Sequence, residues 1–172
     1  MASLSVTLAG VGAVTLLVLL SAFFSSSESA IFTLSDERLA ASERHGDGRF
    51  ETLRHLREDP HRLLVTILVG NNVVNVAIAS ITTVLLSEYL PTGTAVTAAT
   101  VLASFVVLVF GEIVPKSYGI GHPESWALRV AKPIVVVERV LSPLVVVFDF
   151  ITRKLNSLVG GDRHIEKPYV EE

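Results

Sequence analysis

The chain has 172 residues, of which 50% are apolar and only 18% are charged. This length suits one domain, and the charged fraction falls below the roughly 25% of typical soluble domains. The formal net charge of −3 argues against nucleic acid as a partner, because nucleic-acid-binding domains present basic patches. The absence of cysteine excludes disulfides, thiolate zinc sites, iron–sulfur clusters and cysteine nucleophiles. These features predict a small helical membrane protein.

Three uncharged runs are each long enough to cross a bilayer, which takes roughly 20 apolar residues in a helix. They cover residues 1–27, 63–87 and 89–111. A signal peptide is the alternative for the first run, but no Lys or Arg precedes its apolar stretch, which is also overlong. We therefore predict an all-α integral membrane fold with spans at about 4–33, 61–88 and 94–118.

The basic residues indicate how these spans are oriented. All 14 Lys and Arg residues fall in two blocks, Arg38–Arg62 and Lys116–Lys167. None occurs before the first span or in the turn at Pro91 that joins the second span to the third. By the positive-inside rule, we expect the N-terminus outside and both basic blocks, with the C-terminus, in the cytoplasm. The protein is then a multi-pass protein of the cell (plasma) membrane, with the lipid bilayer as its solvent.

The first basic block, 35–60, predicts two short juxtamembrane helices. The sequence Gly46-Asp47-Gly48 separates them, and Ser35 with the acids that follow it is typical of a helix start. Pro60 then opens the second span at a position where its missing N–H costs little.

A different kind of segment follows the third span. Residues 133–159 are rich in valine and leucine but carry charges on one stripe, which predicts an amphipathic helix in the membrane interface, kinked at Pro143. A fourth membrane-spanning helix is the alternative, because the penalty of roughly 3 kcal/mol for each central charge is not prohibitive. We assign residues 1–160 to the membrane domain and 161–172 to a polar tail or linker.

Three polar clusters interrupt the predicted spans. They are Ser21–Ser29 near the inner end of the first span, Gly70–Asn75 early in the second, and Phe110–Lys116 late in the third. Ser21 and Ser25 share one helix face, as the pair at positions 71 and 75 does. At 1.5 Å per residue, all three clusters lie in the inner half of the bilayer, where they could face one another.

Each cluster also has a purely structural interpretation. Membrane helices use serine for close packing and for bonds to their own backbone, and asparagine for hydrogen bonds between helices. Glu112 could be neutralised by Lys116 in an ion pair at the interface. Glu28 lies nearer the end of its helix, where we expect it to be solvated or paired with a cation.

Together the clusters favour a cation site. A carboxylate within the membrane, here Glu112, marks a functional site by default. Pro115 lacks an N–H, so in an α-helix it leaves the Gly111 carbonyl without its usual donor, which is tolerated where that oxygen binds something. The oxygen-only donor set, with no thiolate and no histidine in the spans, suits Mg²⁺, Ca²⁺ or Na⁺ rather than Zn²⁺ or Cu²⁺.

The motifs Ser21–Ala30, Gly70-Asn71 and Phe110–Lys116 resemble the transmembrane domain of the CNNM/CorC magnesium transporters. The resemblance covers the chain through about Val159 and implies a homodimer with three spans per protomer that acts in Mg²⁺ efflux. It implies the following ion ligands: Ser21, Ser25, Asn71, the Gly111 carbonyl and Glu112. Around these ligands we place, as supporting residues, Ser27, Glu28, Asn72, Asn75 and Lys116, with Pro115 as the helix break.

Two departures from the family pattern stand out. Many members have Gly where this chain has Ser26, which affects close packing or local flexibility there. Members usually continue into a cytoplasmic pair of ATP-binding CBS domains, whereas this sequence stops at Glu172 without them. We therefore expect those domains in the full-length protein but assign no ATP regulation to this chain.

Two functions stay open at this stage. The first is a transporter that takes a dehydrated Mg²⁺ from the cytoplasm and passes it outward, with Na⁺ as a coupling ion that the family allows and the sequence does not specify. The second is a Mg²⁺-sensing membrane scaffold that regulates a cytoplasmic domain without transport. We predict no enzymatic activity, because the sequence has no Ser–His pair, zinc signature or Gly-rich phosphate loop within reach of the bilayer.

Overall fold

The computed structural model describes residues 4–35, 37, 39 and 48–159. All regular structure in this part of the chain is helical, so the all-α prediction is confirmed. The elements in chain order are α1 (Leu4–Thr33), α2 (Gly48–Glu58), α3 (Pro60–Ser87), α4 (Thr92–Val106), a π-helical segment (Val107–Ile113), α5 (Val114–Gly121) and α6 (Pro123–Val159).

Three helical stretches among the described residues are long and apolar enough to cross a membrane, as predicted. They are Leu4–Thr33, Pro60–Ser87 and Thr92–Gly121, the last made of α4, the π-helical segment and α5. The long helix α6 is not among them, because charged residues recur along its length. The fourth-span alternative is therefore not supported.

Helix α1 lies at the centre of the bundle, with contacts to α3, the π-helical segment, α5 and α6. It runs antiparallel to α3, because Gly10 faces Leu85 near one end and Phe24 faces Gly70 further along. It packs closely against α5, where a Cβ atom on Gly119 would lie 2.4 Å from the carbonyl oxygen of Ser26. Small residues at such crossings let membrane helices approach one another.

The hydrophobic core lies at one end of the bundle, where the second half of α1 meets α2, the start of α3 and the first half of α6. We call this the basic end, because the arginine-containing helix α2 forms part of it. Leu34, Leu53 and Ile134 are buried there. The guanidinium of Arg57 donates a hydrogen bond to the carbonyl oxygen of Leu34 at 2.8 Å. This bond satisfies a backbone acceptor just beyond the end of α1.

The start of α3 is fixed by its own sequence. Pro60 is its first residue, as predicted, and Asp59 is the N-cap, with its side chain accepting a hydrogen bond from the backbone N–H of Arg62. The Arg62 side chain forms an ion pair with Glu138 of α6. These contacts hold α3 and α6 together at the basic end.

Helix α6 begins at Pro123, ahead of the predicted start at residue 133. Its first turns are not a linker, because Ala127, Val130 and Ala131 are buried in the core. Pro133 is accommodated inside the helix on an exposed side, so the hydrogen bond it cannot make lies away from the core. The helix also continues through Pro143.

The juxtamembrane prediction is tested only in part. Helix α2 starts at Gly48, at the predicted break, and buries Phe50, Leu53 and Leu56 on one face. The preceding helix is described only at Glu37 and Leu39, both of which are helical. The rest of that helix, and the predicted tail 161–172, lie outside the described residues.

Candidate functional site

The third apolar helix changes its hydrogen-bond register as it approaches the basic end. Over Val107–Ile113 it is π-helical, and the N–H of Val114 donates to the carbonyl of Val109, five residues earlier. Single-turn π segments inside α-helices are rare and occur frequently at functional sites. The register change therefore marks this stretch, which contains Glu112, as unusual backbone.

The π register alters the expected effect of Pro115. In α-helical bonding Pro115 would leave the Gly111 carbonyl without its donor. In the π register the carbonyl five residues before Pro115 is that of Phe110, so Pro115, which has no N–H, cannot donate to it as Val114 does to Val109. A ligand role for the Gly111 carbonyl stays a prediction.

A hydrogen-bonded network joins three helical elements around Ser21. The Ser21 hydroxyl oxygen lies 2.9 Å from Asn71 Oδ1 and 2.8 Å from Asn75 Oδ1. Asn75 Nδ2 donates to Glu112 Oε1 at 3.3 Å. The three predicted clusters therefore meet, with Ser21 from α1, both asparagines from α3 and Glu112 from the π-helical segment.

Gly111 makes this meeting sterically possible. A Cβ atom added to Gly111 would lie 2.8 Å from Ser21 Oγ and 3.3 Å from Ser21 Cβ. Any larger side chain would thus displace the serine at the centre of the network. The glycine is needed for close approach, besides its predicted role as a carbonyl ligand.

The Ser25 hydroxyl is buried with no hydrogen-bond partner among the described residues. Leaving such a group unsatisfied costs about 1–3 kcal/mol, so native proteins rarely retain one without a water, an ion or a function. Ser25 lies one turn beyond Ser21 on the same face of α1. A buried hydroxyl oxygen with no partner among the described residues suits a cation ligand.

Two of the predicted supporting residues, Ser27 and Asn72, donate hydrogen bonds to the backbone of their own helices. Ser27 Oγ donates to the carbonyl of Phe23 at 2.6 Å, as Ser26 Oγ does to that of Ala22 at 2.7 Å. Asn72 is exposed, and its side-chain amide donates to the carbonyl of Leu68. These side chains bond within their own helices, whereas Ser21 and Asn75 bond between helices and the Ser25 hydroxyl has no partner among the described residues.

Lys116 forms its ion pair with Glu28, at 3.2 Å, rather than with the nearby carboxylate of Glu112. The expectation that Glu28 pairs with a cation is therefore confirmed. The alternative in which Lys116 simply neutralises Glu112 is not what the structure shows, because the recorded partner of Glu112 is Asn75. The carboxylate of Glu112 thus faces neutral polar groups.

The donor set is unusual for a resident metal. Within the described ranges, no group of three His, Cys, Asp or Glu side chains is placed to hold an ion. The site instead offers one carboxylate with hydroxyl, amide and backbone oxygens, which are the ligands that hard cations accept. Fewer charges favour weaker, reversible binding over permanent retention.

Two features of the apolar helices were not predicted from the sequence. The π-helical register was not predicted, although Pro115 following an intramembrane glycine and glutamate was a signal that the helix could not be regular. Thr66, one turn before Gly70, was not singled out either, yet its hydroxyl is fully buried with no partner among the described residues. The sequence gives no reason to single out this threonine, because a threonine hydroxyl in a membrane helix usually donates to the backbone of its own helix.

The chain is similar to known proteins along most of its length. The cyclin M (CNNM) transmembrane N-terminal domain family matches residues 12–172. The UPF0053 inner membrane protein YfjD of Escherichia coli is 33% identical over 82% of this chain and 33% of its own length. A UPF0053 protein of Haemophilus influenzae is 32% identical over 89% of this chain and 36% of its own.

A plant protein is also similar to this chain. A DUF21 domain-containing chloroplastic protein of Arabidopsis thaliana is 33% identical over 91% of this chain and 23% of its own length. The chain spans about a third or less of these curated relatives. With the family matching nearly the full length and three apolar helices in place, the chain belongs to the CNNM transmembrane domain family of membrane proteins.

Proposed function

We propose that this chain binds a dehydrated Mg²⁺ ion among α1, α3 and the π-helical segment and mediates its efflux from the cytoplasm. The observation that carries the proposal is the network of Ser21, Asn71, Asn75 and Glu112, which brings oxygen ligands from three elements to one carboxylate. Family membership supports it, because the family is a membrane domain and the site motifs resemble those of magnesium transporters.

The arrangement around Glu112 supports a transient site. Mg²⁺ loses water reluctantly and favours octahedral oxygen coordination, which fixed side chains from several helices can supply in place of water. Because Glu28 already pairs with Lys116, the Glu112 charge is available to the ion. One negative charge against a dication leaves the occupied site net positive, which favours release.

The direction of transport follows from the proposed orientation. We propose that the basic end faces the cytoplasm, that the N-terminus is outside and that the domain lies in the plasma membrane as a homodimer. The site extends from the middle of the spans toward the basic end, so we propose that it is loaded from the cytoplasmic side. Na⁺ is the counter-ion that we propose to test first.

The test is Mg²⁺ flux in proteoliposomes with the Glu112→Gln variant. The glutamine keeps the shape of the side chain but removes the only carboxylate of the network, so we expect Mg²⁺ affinity to fall by more than about 100-fold, beyond the 10–100-fold typical of a ligand's supporting partner. The matched control is Glu51→Gln at an exposed position of α2, which removes the same charge away from the site.

The outcomes separate the two functions that the sequence left open. Mg²⁺ flux that Glu112→Gln abolishes and Glu51→Gln retains supports the transporter. Mg²⁺ binding without flux, under any Na⁺ gradient, would favour the scaffold. Normal Mg²⁺ binding by Glu112→Gln, or indifference of both Ser21→Ala and Asn71→Ala, would overturn the site assignment.

A further inference from the structure

Asn75 holds a position in the network that none of the other site residues shares. Its carboxamide contacts two elements at once, with Oδ1 2.8 Å from the Ser21 hydroxyl of α1 and Nδ2 3.3 Å from Glu112 Oε1 of the π-helical segment. Asn75 is itself half-buried on α3. It therefore links the two side chains that the proposed site depends on most.

The polarity of these two bonds determines which atoms can face a cation. A serine hydroxyl has one proton and two lone pairs. When the hydroxyl of Ser21 donates its hydrogen bond to Asn75 Oδ1, its lone pairs face away from Asn75. The side-chain amide of Asn71, whose Oδ1 lies 2.9 Å from Ser21 Oγ, can then rotate so that its NH2 group donates to one of these lone pairs. The amide of Asn75 engages Oε1 of Glu112, which leaves Oε2 outside that bond.

We infer that Asn75 is the positioning residue of the ion site, rather than an ion ligand, and that it sets the preference for Mg²⁺ over larger cations. This inference rests on the proposed function. Asn75 Oδ1 accepts a hydrogen bond from the hydroxyl of the Ser21 ligand, and Asn75 Nδ2 donates one to the carboxylate of the Glu112 ligand. Both ligands therefore present lone pairs on their remaining sides. Such partners fix the orientation and basicity of metal ligands.

Selectivity follows from the rigidity of this arrangement. Mg²⁺ requires near-ideal geometry at about 2.1 Å, whereas Ca²⁺ accepts irregular coordination at about 2.3–2.6 Å. A site whose serine and glutamate are held from one amide can satisfy the stricter ion. Once that amide is lost, both ligands gain rotational freedom, which harms Mg²⁺ binding more than Ca²⁺ binding.

Asn72 provides a matched control on the same helix. It is an asparagine three residues earlier, but its side chain is exposed and donates to the backbone carbonyl of Leu68. Replacing either residue by leucine removes the polar atoms of the amide and keeps the branching of the side chain at Cγ. Only the change at Asn75 removes a contact to Ser21 and Glu112.

The experiment measures Mg²⁺ and Ca²⁺ affinity of the purified chain, and its unfolding temperature in chelator, for Asn75→Leu and Asn72→Leu. We expect Asn75→Leu to weaken Mg²⁺ binding by about 10–100-fold and Ca²⁺ binding by less, so that the Mg²⁺/Ca²⁺ preference falls. Asn72→Leu should keep both affinities. An equal loss for both ions, or a preference unchanged in Asn75→Leu, overturns the inference.

A second variant keeps the test decisive if the leucine variant folds poorly. Asn75→Asp retains an acceptor for Ser21 but replaces the donor to Glu112 with a second carboxylate. The two carboxylates repel each other without an ion, so added Mg²⁺ should raise the unfolding temperature more than in wild type or Asn72→Asp. An equal rise in all three refutes the inference, whereas a wild type that does not respond to Mg²⁺ refutes the proposed function itself.

Discussion

The two halves of α1 differ in composition and lie in different environments. From Leu4 to Leu20 every side chain is exposed or half-buried, and Leu16 is 67% exposed. From Ser21 to Ile31 every side chain is buried or half-buried, with Ser21, Ser25 and Ser27 at 0% exposure. The first half therefore presents apolar side chains to lipid, and the second presents serines as well as apolar residues to protein.

The difference shows that an apolar side chain in a membrane helix of this protein need not be buried. Lipid tails are as apolar as leucine, so no hydrophobic driving force pulls leucine side chains into the bundle. Small residues permit close contact between helices, and hydroxyl groups avoid lipid by finding polar partners. The serine-rich half of α1 is consequently the half around which α3, α5 and α6 assemble.

Among the changes that test the difference between the two halves of α1, Gly119→Ala is expected to lower the free energy of unfolding most. A Cβ at this position would lie 2.4 Å from the Ser26 carbonyl oxygen and 3.1 Å from the Ala30 nitrogen, both backbone atoms that cannot rotate away. We expect the free energy of unfolding to fall by about 1–3 kcal/mol, as for other overpacked sites. Reversible unfolding in mixed micelles measures it.

Gly12→Ala is the matched change in the exposed half of α1. A Cβ on Gly12 would meet no atom within 4 Å. Since alanine is favoured over glycine in helices by up to about 1 kcal/mol, this variant should be as stable as wild type or more so. Equal destabilisation by both changes would contradict the contrast between the two halves.

A smaller effect separates two serines of the enclosed half. Ser25→Ala removes a hydroxyl that has no partner in the described part of the chain, so we expect unfolding in chelator to be unchanged or up to about 1 kcal/mol less favourable. Mg²⁺ affinity should fall, though less than in Glu112→Gln, because water can replace a neutral ligand. Calorimetric titration with Mg²⁺ measures it.

Ser27→Ala serves as the comparison, because Ser27 Oγ donates to its own helix at the carbonyl of Phe23. It should leave Mg²⁺ affinity at the wild-type value. If the two alanine variants bind Mg²⁺ equally well, the unpaired hydroxyl of Ser25 is not a ligand.

The smallest effect is expected from Leu16→Ala in the exposed half. The side chain contacts lipid both in the folded bundle and in the separated helices, so the change in unfolding free energy should stay within about 0.5 kcal/mol. Unfolding in mixed micelles again provides the measurement. A loss above 2 kcal/mol would mean that this face of α1 is covered by protein, such as a second protomer.

Much of the fold was predictable because it depends on local properties. The lengths of the uncharged runs predicted the three helices that are long enough to span a membrane, and the pair Asp59-Pro60 predicted where α3 begins. The start of α6 was not predictable, because Pro133 normally indicates a helix boundary and only packing on the core stabilises the turns before it. Those turns bury Ala127, Val130 and Ala131.

The candidate site divides in the same way. Helical spacing placed Asn71 and Asn75 on one face, and depth along the spans placed both near Ser21 and Glu112. Spacing could not distinguish Ser25 from Ser27, since both are serines in one short run. Whether a hydroxyl bonds its own helix, a neighbour or nothing depends on which residue of another helix lies opposite.

The sequence by itself determined that this is a three-span helical membrane domain of the CNNM family with a carboxylate among polar residues, because hydropathy, charge and motif are properties of the chain. Only the tertiary structure decided that the third helix becomes π-helical at Glu112, that Lys116 pairs with Glu28, and that Asn75 joins Ser21 to Glu112. The reason is physical. Each of these features depends on distances of about 3 Å between atoms of different helices or turns, which packing sets and no local pattern encodes.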